Sequence, residues 1–417
     1  MATFKYKDSS QTVVSGLSFF SRNASELEIP SFVTEIGAGA FRERKKLSEV
    51  TILENVEKIG KEAFLGCTAL TELTLPEGLT EIGANAFTGC TNLKRVYLPK
   101  TLKKLGTGAF SGCTALSAVT IPDGLSEVAD SAFEDCGLTE VVLPKELKRI
   151  GESAFRGCAR LTDITLPEGL TELASLAFGE CEGLRNIRIP ESVTRLGTYV
   201  FKQCATMQTA NLPQSLTAIP QGLFQGCDRL GEIAIPEGVI EIGEAAFAMC
   251  RSIPSVTIPD SVTDIGKNAF NGCENMTELT MGDGVREIGP FAFLQCIGLT
   301  ELHIPRGLTE LKEFCFSECS GIKSLTVPGN VKFVGENAFS GCVGLRYLTV
   351  ENGVRTICES AFFRCEGLTE VELPDSVLEV QTCAFLGCDE LQTARVPAHT
   401  YLGDCAFSYT CNVIQTR

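Results

Sequence analysis

The sequence contains no tryptophan and only two histidines, His303 and His399, which lie far apart. It also lacks the G-x-S-x-G, phosphate-loop, H-E-x-x-H and C-x-x-C motifs that mark nucleophilic, phosphoryl-transfer and metal-assisted chemistry. Glutamates such as Glu72 recur at one repeated position, which indicates a solvated surface and not a catalytic pair. We therefore predict that the chain is not an enzyme and has no catalytic residues, no cofactor and no metal site.

Basic residues are few relative to acidic ones, at 36 against 52, and the net charge is −16. This charge repels phosphate backbones and anionic lipids, so nucleic acid is not expected as a partner. No stretch approaches the roughly 18 consecutive apolar residues of a membrane helix, which argues against membrane insertion. The segment Met1–Ser10 also lacks the charged region and apolar run of a secretion signal.

The sequence does contain a regular internal repeat. A phenylalanine, usually preceded by alanine, recurs seventeen times, at intervals of 23 residues with two intervals of 22. A unit this short cannot bury its own apolar side and must stack on its neighbours, so the period predicts a solenoid of about 17 units. The marker positions are Phe41, Phe64, Phe87, Phe110, Phe133, Phe155, Phe178, Phe201, Phe224, Phe247, Phe270, Phe293, Phe316, Phe339, Phe362, Phe385 and Phe407.

Each part of the repeat predicts its own local structure. The alternation of Leu73, Thr74 and Leu75 predicts a short strand, which Pro76 ends by removing a hydrogen-bond donor. The apolar spacing around Phe87 predicts a single helical turn with one buried side. The complete unit reads Leu70-x-x-Leu73-x-Leu75-Pro76-x-x-Leu79-x-x-Ile82-Gly83-x-x-Ala86-Phe87-x-x-Cys90.

This unit resembles the BspA-like, or Treponema pallidum type, leucine-rich repeats of bacteria, over residues 28–407. The resemblance implies a right-handed leucine-rich-repeat solenoid of the β-rich α/β class. Its parallel β-sheet is expected on the concave face and short helical turns on the convex side. Residues 1–27 resemble a capping segment, in which Phe4–Tyr6 and Val13–Gly16 form a strand pair, and residues 408–417 are expected to be a C-terminal tail.

The cysteines follow the same period. Fifteen of the twenty lie three residues after a marker phenylalanine, and we expect them to be free, buried thiols, because stacked side chains point in parallel directions. Thiols arranged in a line cannot converge on a zinc ion. Cys383 and Cys405 occupy equivalent positions in adjacent repeats and are the pair best placed for oxidation, although two packed thiols are the favoured alternative. The cysteines outside the line are Cys315, Cys358, Cys383, Cys405 and Cys411.

Outward-facing strand positions are the candidate binding surface. Threonine fills most positions equivalent to Thr74, since it is polar and β-branched, so the exceptions are informative. Tyrosine and arginine are enriched at binding hot spots, although random drift on a solvated strand is the alternative for each. Adjacent Glu372 and Arg395 could instead pair with each other. The candidate binding residues are Tyr97, Arg188, His303, Tyr347, Glu372 and Arg395.

The sequence thus favours a protein-protein interaction module that is a monomer. The family resemblance implies a cell-surface or adhesion-type protein of an anaerobic bacterium, with a host or bacterial surface protein as partner. The alternative is a cytosolic leucine-rich-repeat scaffold, which the many free thiols favour.

Overall fold

Short parallel strands joined by tight turns make up the computed structural model, which describes residues 3–7, 9–18 and 23–416. The chain divides into two compact units, residues 1–207 and 208–417. Each unit is a parallel β-solenoid, and the chain holds about 17 rungs, a rung being one repeat of the sequence. The solenoid predicted from the period is therefore confirmed.

The strands of the first unit are β1 (Phe4–Tyr6), β2 (Val13–Leu17), β3 (Glu26–Glu28), β4 (Glu35–Ile36), β5 (Glu49–Thr51), β6 (Lys58–Ile59), β7 (Glu72–Thr74), β8 (Glu81–Ile82), β9 (Arg95–Tyr97), β10 (Lys104–Leu105), β11 (Ala118–Thr120), β12 (Glu127–Val128), β13 (Glu140–Val142), β14 (Arg149–Ile150), β15 (Glu172–Leu173), β16 (Asn186–Ile187) and β17 (Arg195–Leu196).

The strands of the second unit are β18 (Thr209–Ala210), β19 (Ala218–Ile219), β20 (Glu241–Ile242), β21 (Ser255–Ile258), β22 (Asp264–Ile265), β23 (Glu278–Met281), β24 (Glu287–Ile288), β25 (Glu310–Leu311), β26 (Ser324–Val327), β27 (Phe333–Val334), β28 (Tyr347–Val350), β29 (Thr356–Ile357), β30 (Glu370–Glu372), β31 (Glu379–Val380), β32 (Thr393–Pro397), β33 (Tyr401–Leu402) and β34 (Asn412–Thr416).

A typical rung contributes two strands, each to a different sheet. Strands equivalent to β7 form the front sheet, and those equivalent to β8 form the side sheet. The first unit has a four-stranded front segment, β3-β5-β7-β9, and a six-stranded side segment, β1-β2-β4-β6-β8-β10. In the second unit, β26-β28-β30-β32-β34 form a front segment and β25-β27-β29-β31-β33 a side segment. The side sheet was not predicted, since its two-residue strands are too short to show alternation.

Both chain ends carry strands that pair with the sheets. Strands β1 and β2 form an antiparallel pair, and β2 then pairs in parallel with β4, where Val13 lies opposite Glu35. Near the other end, β34 pairs in parallel with β32 over five residues. Residues 412–416 are therefore part of the front sheet.

Stacked phenylalanine rings run through the core of each unit. In the first unit, Phe64 and Phe87 lie 5.1 Å apart between ring centroids, with an interplanar angle of 6°. In the second, Phe385 and Phe407 are 5.0 Å apart, with an angle of 1°. Large buried aromatic areas of this kind contribute strongly to stability. The markers seen in the sequence are thus the central ladder of the core.

The turn that carries each phenylalanine is not helical, so the predicted short helical turns are wrong. The described residues form no α-helix. Glu62 and Gly66 have φ of 57° and 70°, and such left-handed residues interrupt a right-handed helix. Instead, Phe64 N–H donates to the Ala86 carbonyl at 2.7 Å, and Gly66 N–H to the Thr88 carbonyl at 2.8 Å, both in the next rung. Every second backbone donor of the turn thus bonds to the next rung, while the donors between them, such as Leu65 N–H to the Glu62 carbonyl at 3.2 Å, bond within the rung.

The glycine that follows the side-sheet strand is needed for space. A Cβ built on Gly83 would lie 2.5 Å from Lys61 N and 2.7 Å from Gly60 C, both backbone atoms of the preceding rung. Real Cβ atoms do not approach backbone so closely, and here the neighbour has no flexible end that could move. The rungs therefore approach each other closely at this corner.

Replacing Gly83 with alanine is expected to destabilise the first unit by about 1–3 kcal/mol, because overpacking forces the backbone to shift. Thermal or denaturant unfolding measures this change. The matched control is Gly169→Ala, whose added Cβ would meet only the end of the Lys148 side chain at 3.1 Å and Lys145 O at 3.6 Å. Equal stabilities of the two variants would show that the corner is not tightly packed.

The periodic cysteines form a second core ladder. Cys67 Sγ donates to the Phe41 carbonyl at 3.1 Å, and Cys90 Sγ donates to the Phe64 carbonyl at 3.3 Å. All twenty cysteines are free, and sixteen of them are buried. Of the pair considered for oxidation, Cys383 is partly exposed and Cys405 is exposed. Cys405 is thus not packed, and its Sγ lies 3.8 Å from Tyr409 Oη.

Thiol titration is expected to find twenty groups in the unfolded protein. The native protein should react rapidly only at Cys358, Cys383, Cys405 and Cys411, the four that are not buried. Buried, hydrogen-bonded thiols do not form the thiolate that reacts. Native reactivity as complete as that of the unfolded chain would contradict the ladder.

Stability should fall in alkaline solution. Burial raises the pKa of Cys67 to about 11 and of Cys273 to about 12. In the unfolded chain the thiol pKa is about 8.5, so above that pH the unfolded chain binds fewer protons than the folded one. Each such thiol then removes about 1.4 kcal/mol per pH unit until its folded pKa is reached. Denaturant unfolding between neutral and alkaline pH measures this, and a flat profile would contradict it.

Candidate functional site

The front face is the set of side chains that point outward from the front sheet. In β7, Leu73 is buried while Glu72 and Thr74 are exposed, and the same exposed-buried-exposed pattern recurs in the other three-residue front strands. The face therefore presents two columns of side chains at the spacing of parallel strands, about 4.8 Å. It is a preformed and regular surface.

Tyr97 is one of the most exposed apolar side chains in the first unit, with 67% of its surface accessible. It lies in β9, in register with Thr74. Beside it, Ala118 and Thr120 of β11 help to line a recess of about 330 Å³. The recess arises because a large aromatic residue on one rung adjoins a small residue on the next.

Arg95 was missed as a candidate, although it lines the same recess as Tyr97. The two residues are separated by one position in β9 and therefore point to the same side of the sheet. Glu72 lies opposite Arg95 in register, yet no ion pair joins their side chains. Tyrosine and arginine are both enriched at binding hot spots.

Arg188, the other candidate in the first unit, follows β16 on the front face. Its guanidinium forms an ion pair with Glu168, which follows the strand-ending proline of the preceding rung. Both side chains are well exposed. This contact also shows that a residue following the strand-ending proline can reach the front face of the next rung. Tyr97 and Arg188 lie four rungs apart and do not touch.

In the second unit, His303 lines a shallow recess of about 170 Å³ together with Thr326, Arg306 and Glu351. Arg306 and Glu351 form an ion pair at 4.0 Å, so this recess already contains paired charges. Tyr347 lies in β28, and 65% of its surface is exposed. The structure therefore places both candidates on the front face of this unit.

Glu372 and Arg395 lie opposite each other in the register of β30 and β32. Within the part of the chain that the structure describes, no ion pair joins the two side chains. The pairing considered from the sequence is therefore not formed. Both residues remain exposed on the front face.

The side face of the first unit is the rival surface. It carries alternating charges in register, and Glu81 bonds to Lys104 at 2.9 Å and to Lys58 at 3.6 Å. The hydrogen bond from Lys104 is the main reason why the pKa of Glu81 is lowered. Arg149 likewise contacts Glu172 at 3.1 Å. These side chains form ion pairs with one another, whereas Arg95 on the front face forms none with the residues that the structure describes.

The described residues contain no group of three or more histidine, cysteine or carboxylate side chains that could hold a metal ion. They also form no helix that could span a bilayer.

The sequence and the fold are similar to those of known leucine-rich repeat proteins. The family described as BspA type leucine-rich repeat region matches residues 12–139, 126–253, 217–346 and 334–416 of this chain. A leucine-rich repeat protein from Bacteroides ovatus is 26% identical, with a TM-score of 0.73, over 100% of this chain and 98% of that one. A leucine-rich cell surface protein from Faecalibacterium prausnitzii is also 26% identical, with a TM-score of 0.53, over 84% of this chain and 95% of the other. No curated protein matches.

Proposed function

We propose that the chain, which belongs to the BspA-type leucine-rich repeat family, is a protein-binding module whose front face binds the partner. The family membership and the exposed aromatic residues of the front sheet support this proposal. The observation that carries the proposal is Tyr97, which lies two-thirds exposed beside a recess in an otherwise threonine-rich column. The further candidate contact residues are Arg188, His303, Tyr347, Glu372 and Arg395.

The rigidity of the front sheet supports this role. Each exposed residue lies next to a buried one, such as Val96 beside Tyr97, so its backbone is fixed by the core. A partner that docks here orders few side chains of this protein, and a preformed surface lowers the entropic cost of binding. Tyrosine adds large contact area while it loses only two side-chain torsions.

We place the protein at a bacterial cell surface, with a host or bacterial surface protein as its partner. The support is the family and the similar Faecalibacterium prausnitzii protein, which is a leucine-rich cell surface protein. Protease shaving of intact cells, followed by detection of released fragments, tests this location. Protection of the protein until the cells are lysed would refute it.

A cytosolic scaffold is the second candidate, and one observation favours it. Twenty free cysteines, one of them exposed, suit a compartment that keeps thiols reduced. The same shaving experiment separates the two locations, since a cytosolic scaffold would be protected in intact cells.

The double variant Tyr97→Ala, Arg188→Glu should bind at least about tenfold less partner protein, because it removes an aromatic anchor and reverses a charge. Quantitative pull-downs from extracellular matrix and bacterial lysates, with the wild-type protein as reference, measure the loss. Thermal unfolding should be unchanged, since both side chains are exposed.

The matched control is Tyr401→Ala, Arg195→Glu on the side sheet. Tyr401 is 65% exposed, and Arg195 is 72% exposed and ion-paired with Glu172, so the two double variants change similar surfaces. The control should retain full binding. Equal binding by both variants, or loss only in the control, means that the front face is not the docking surface.

A further inference from the structure

The rung that carries Tyr97 has an unusual charge. Residues 91–113 contain five basic residues and no acidic one, whereas residues 68–90 contain three acidic residues and residues 114–136 five, with no basic residue in either. The protein as a whole carries −16. This basic band therefore lies between two acidic rungs. Its basic residues are Lys94, Arg95, Lys100, Lys103 and Lys104.

One of these cations lines the Tyr97 recess, and two others lie near it on the same rung. Arg95 lines it directly, and Lys94 immediately precedes Arg95. Lys100 follows the strand-ending proline of its rung, as Glu168 does in another rung, and Glu168 reaches Arg188 on the front face of the next rung. The residue equivalent to Arg188 in the rung after Lys100 is Thr120, which lines the recess. All three side chains are exposed, and none forms an ion pair in the described chain.

The other two basic residues, Lys103 and Lys104, lie at the side-sheet strand of the rung. Lys104 belongs to the side sheet, and its ammonium group forms an ion pair with Glu81 at 2.9 Å. The cations near Tyr97 have no such role in the fold. Unpaired cations beside an exposed aromatic ring and an open recess indicate a partner that supplies the opposite charge.

We propose that the Tyr97 recess is the anchor point for an acidic polypeptide segment of the partner, which places an apolar side chain against Tyr97 and carboxylates on Lys94, Arg95 and Lys100. This inference rests on the proposed binding role of the front face and specifies its partner. The recess of about 330 Å³ can hold one large side chain. The acidic rungs on either side repel carboxylates, so they restrict an acidic segment to this band and fix its position.

The test uses the full chain and a labelled peptide built from repeats of Glu-Phe-Asp-Gly. Its counterpart, built from repeats of Gln-Phe-Asn-Gly, keeps the aromatic residues and removes the charge. We expect the acidic peptide to bind at least about tenfold more tightly, with an affinity that falls as salt is added. Tyr97→Ala should weaken binding about tenfold.

The triple variant Lys94→Gln, Arg95→Gln, Lys100→Gln should lower affinity for the acidic peptide at least about tenfold. Its matched control is Arg185→Gln, Lys323→Gln, Arg346→Gln, three exposed cations at positions equivalent to Lys94, which changes the net charge equally. The control should bind as the wild type does. Equal losses in both triple variants, equal affinity for the two peptides, or no peptide binding each overturn the inference.

The two proposals fail separately. If the protein binds the acidic and the neutral peptide equally while the variant Tyr97→Ala, Arg188→Glu still loses partner capture, the front face binds a partner that is not acidic. If the protein shows no preference for the acidic peptide and the double variant also captures the partner normally, the front face is not the binding surface.

Discussion

Hydrogen bonding between consecutive rungs is the constraint on which the rest of the structure depends. A rung of about 23 residues encloses no core of its own, so its apolar side chains and many of its backbone donors find partners in the neighbouring rungs. The bond from Phe64 N–H to the Ala86 carbonyl shows the rule even in the turns. Residues of paired strands therefore lie opposite their equivalents in the next repeat, as Leu73 lies opposite Val96.

Stacking gives each repeated position one physical role. Phenylalanine rings stack at 5.0–5.9 Å, cysteine thiols donate to carbonyls of the preceding rung, and glycine corners allow close approach. On the surface, stacking places charged side chains of consecutive rungs next to each other. On the side face of the first unit the sign of the charge alternates from rung to rung, and neighbouring side chains form ion pairs. Around Tyr97 on the front face, Lys94, Arg95 and Lys100 form no ion pair within the described part of the chain.

Much of the fold was predictable from the sequence, because the period fixes which residues stack. The front strand around Leu73, the phenylalanine ladder and the buried thiols all follow from position alone. The side sheet and the non-helical turns were not predictable. Two-residue strands show no alternation, and left-handed conformations at Glu62 and Asn85 occur at residues other than glycine.

The candidate site was only partly predictable. Tyr97 differs from the threonines of its column and could be recognised, but its recess depends on the small Ala118 in the next rung. Arg95 belongs to the Glu72 column, so the Thr74 column that contains Tyr97 does not reveal it. The available signal was the charge of a whole rung, since residues 91–113 have no acidic side chain. Register alone suggested an ion pair between Glu372 and Arg395, but none forms between these two residues, because strand register does not fix the orientation of side chains.

Deletion of one complete rung tests the central claim most directly. Variants that lack residues 91–113 or residues 251–273, each one period of 23, should retain cooperative unfolding, because the flanking rungs can stack in register. Only the variant without residues 91–113 should lose partner capture. Loss of cooperative folding in both variants would contradict the stacking account, and capture by the protein that lacks residues 91–113 would contradict the assigned binding site.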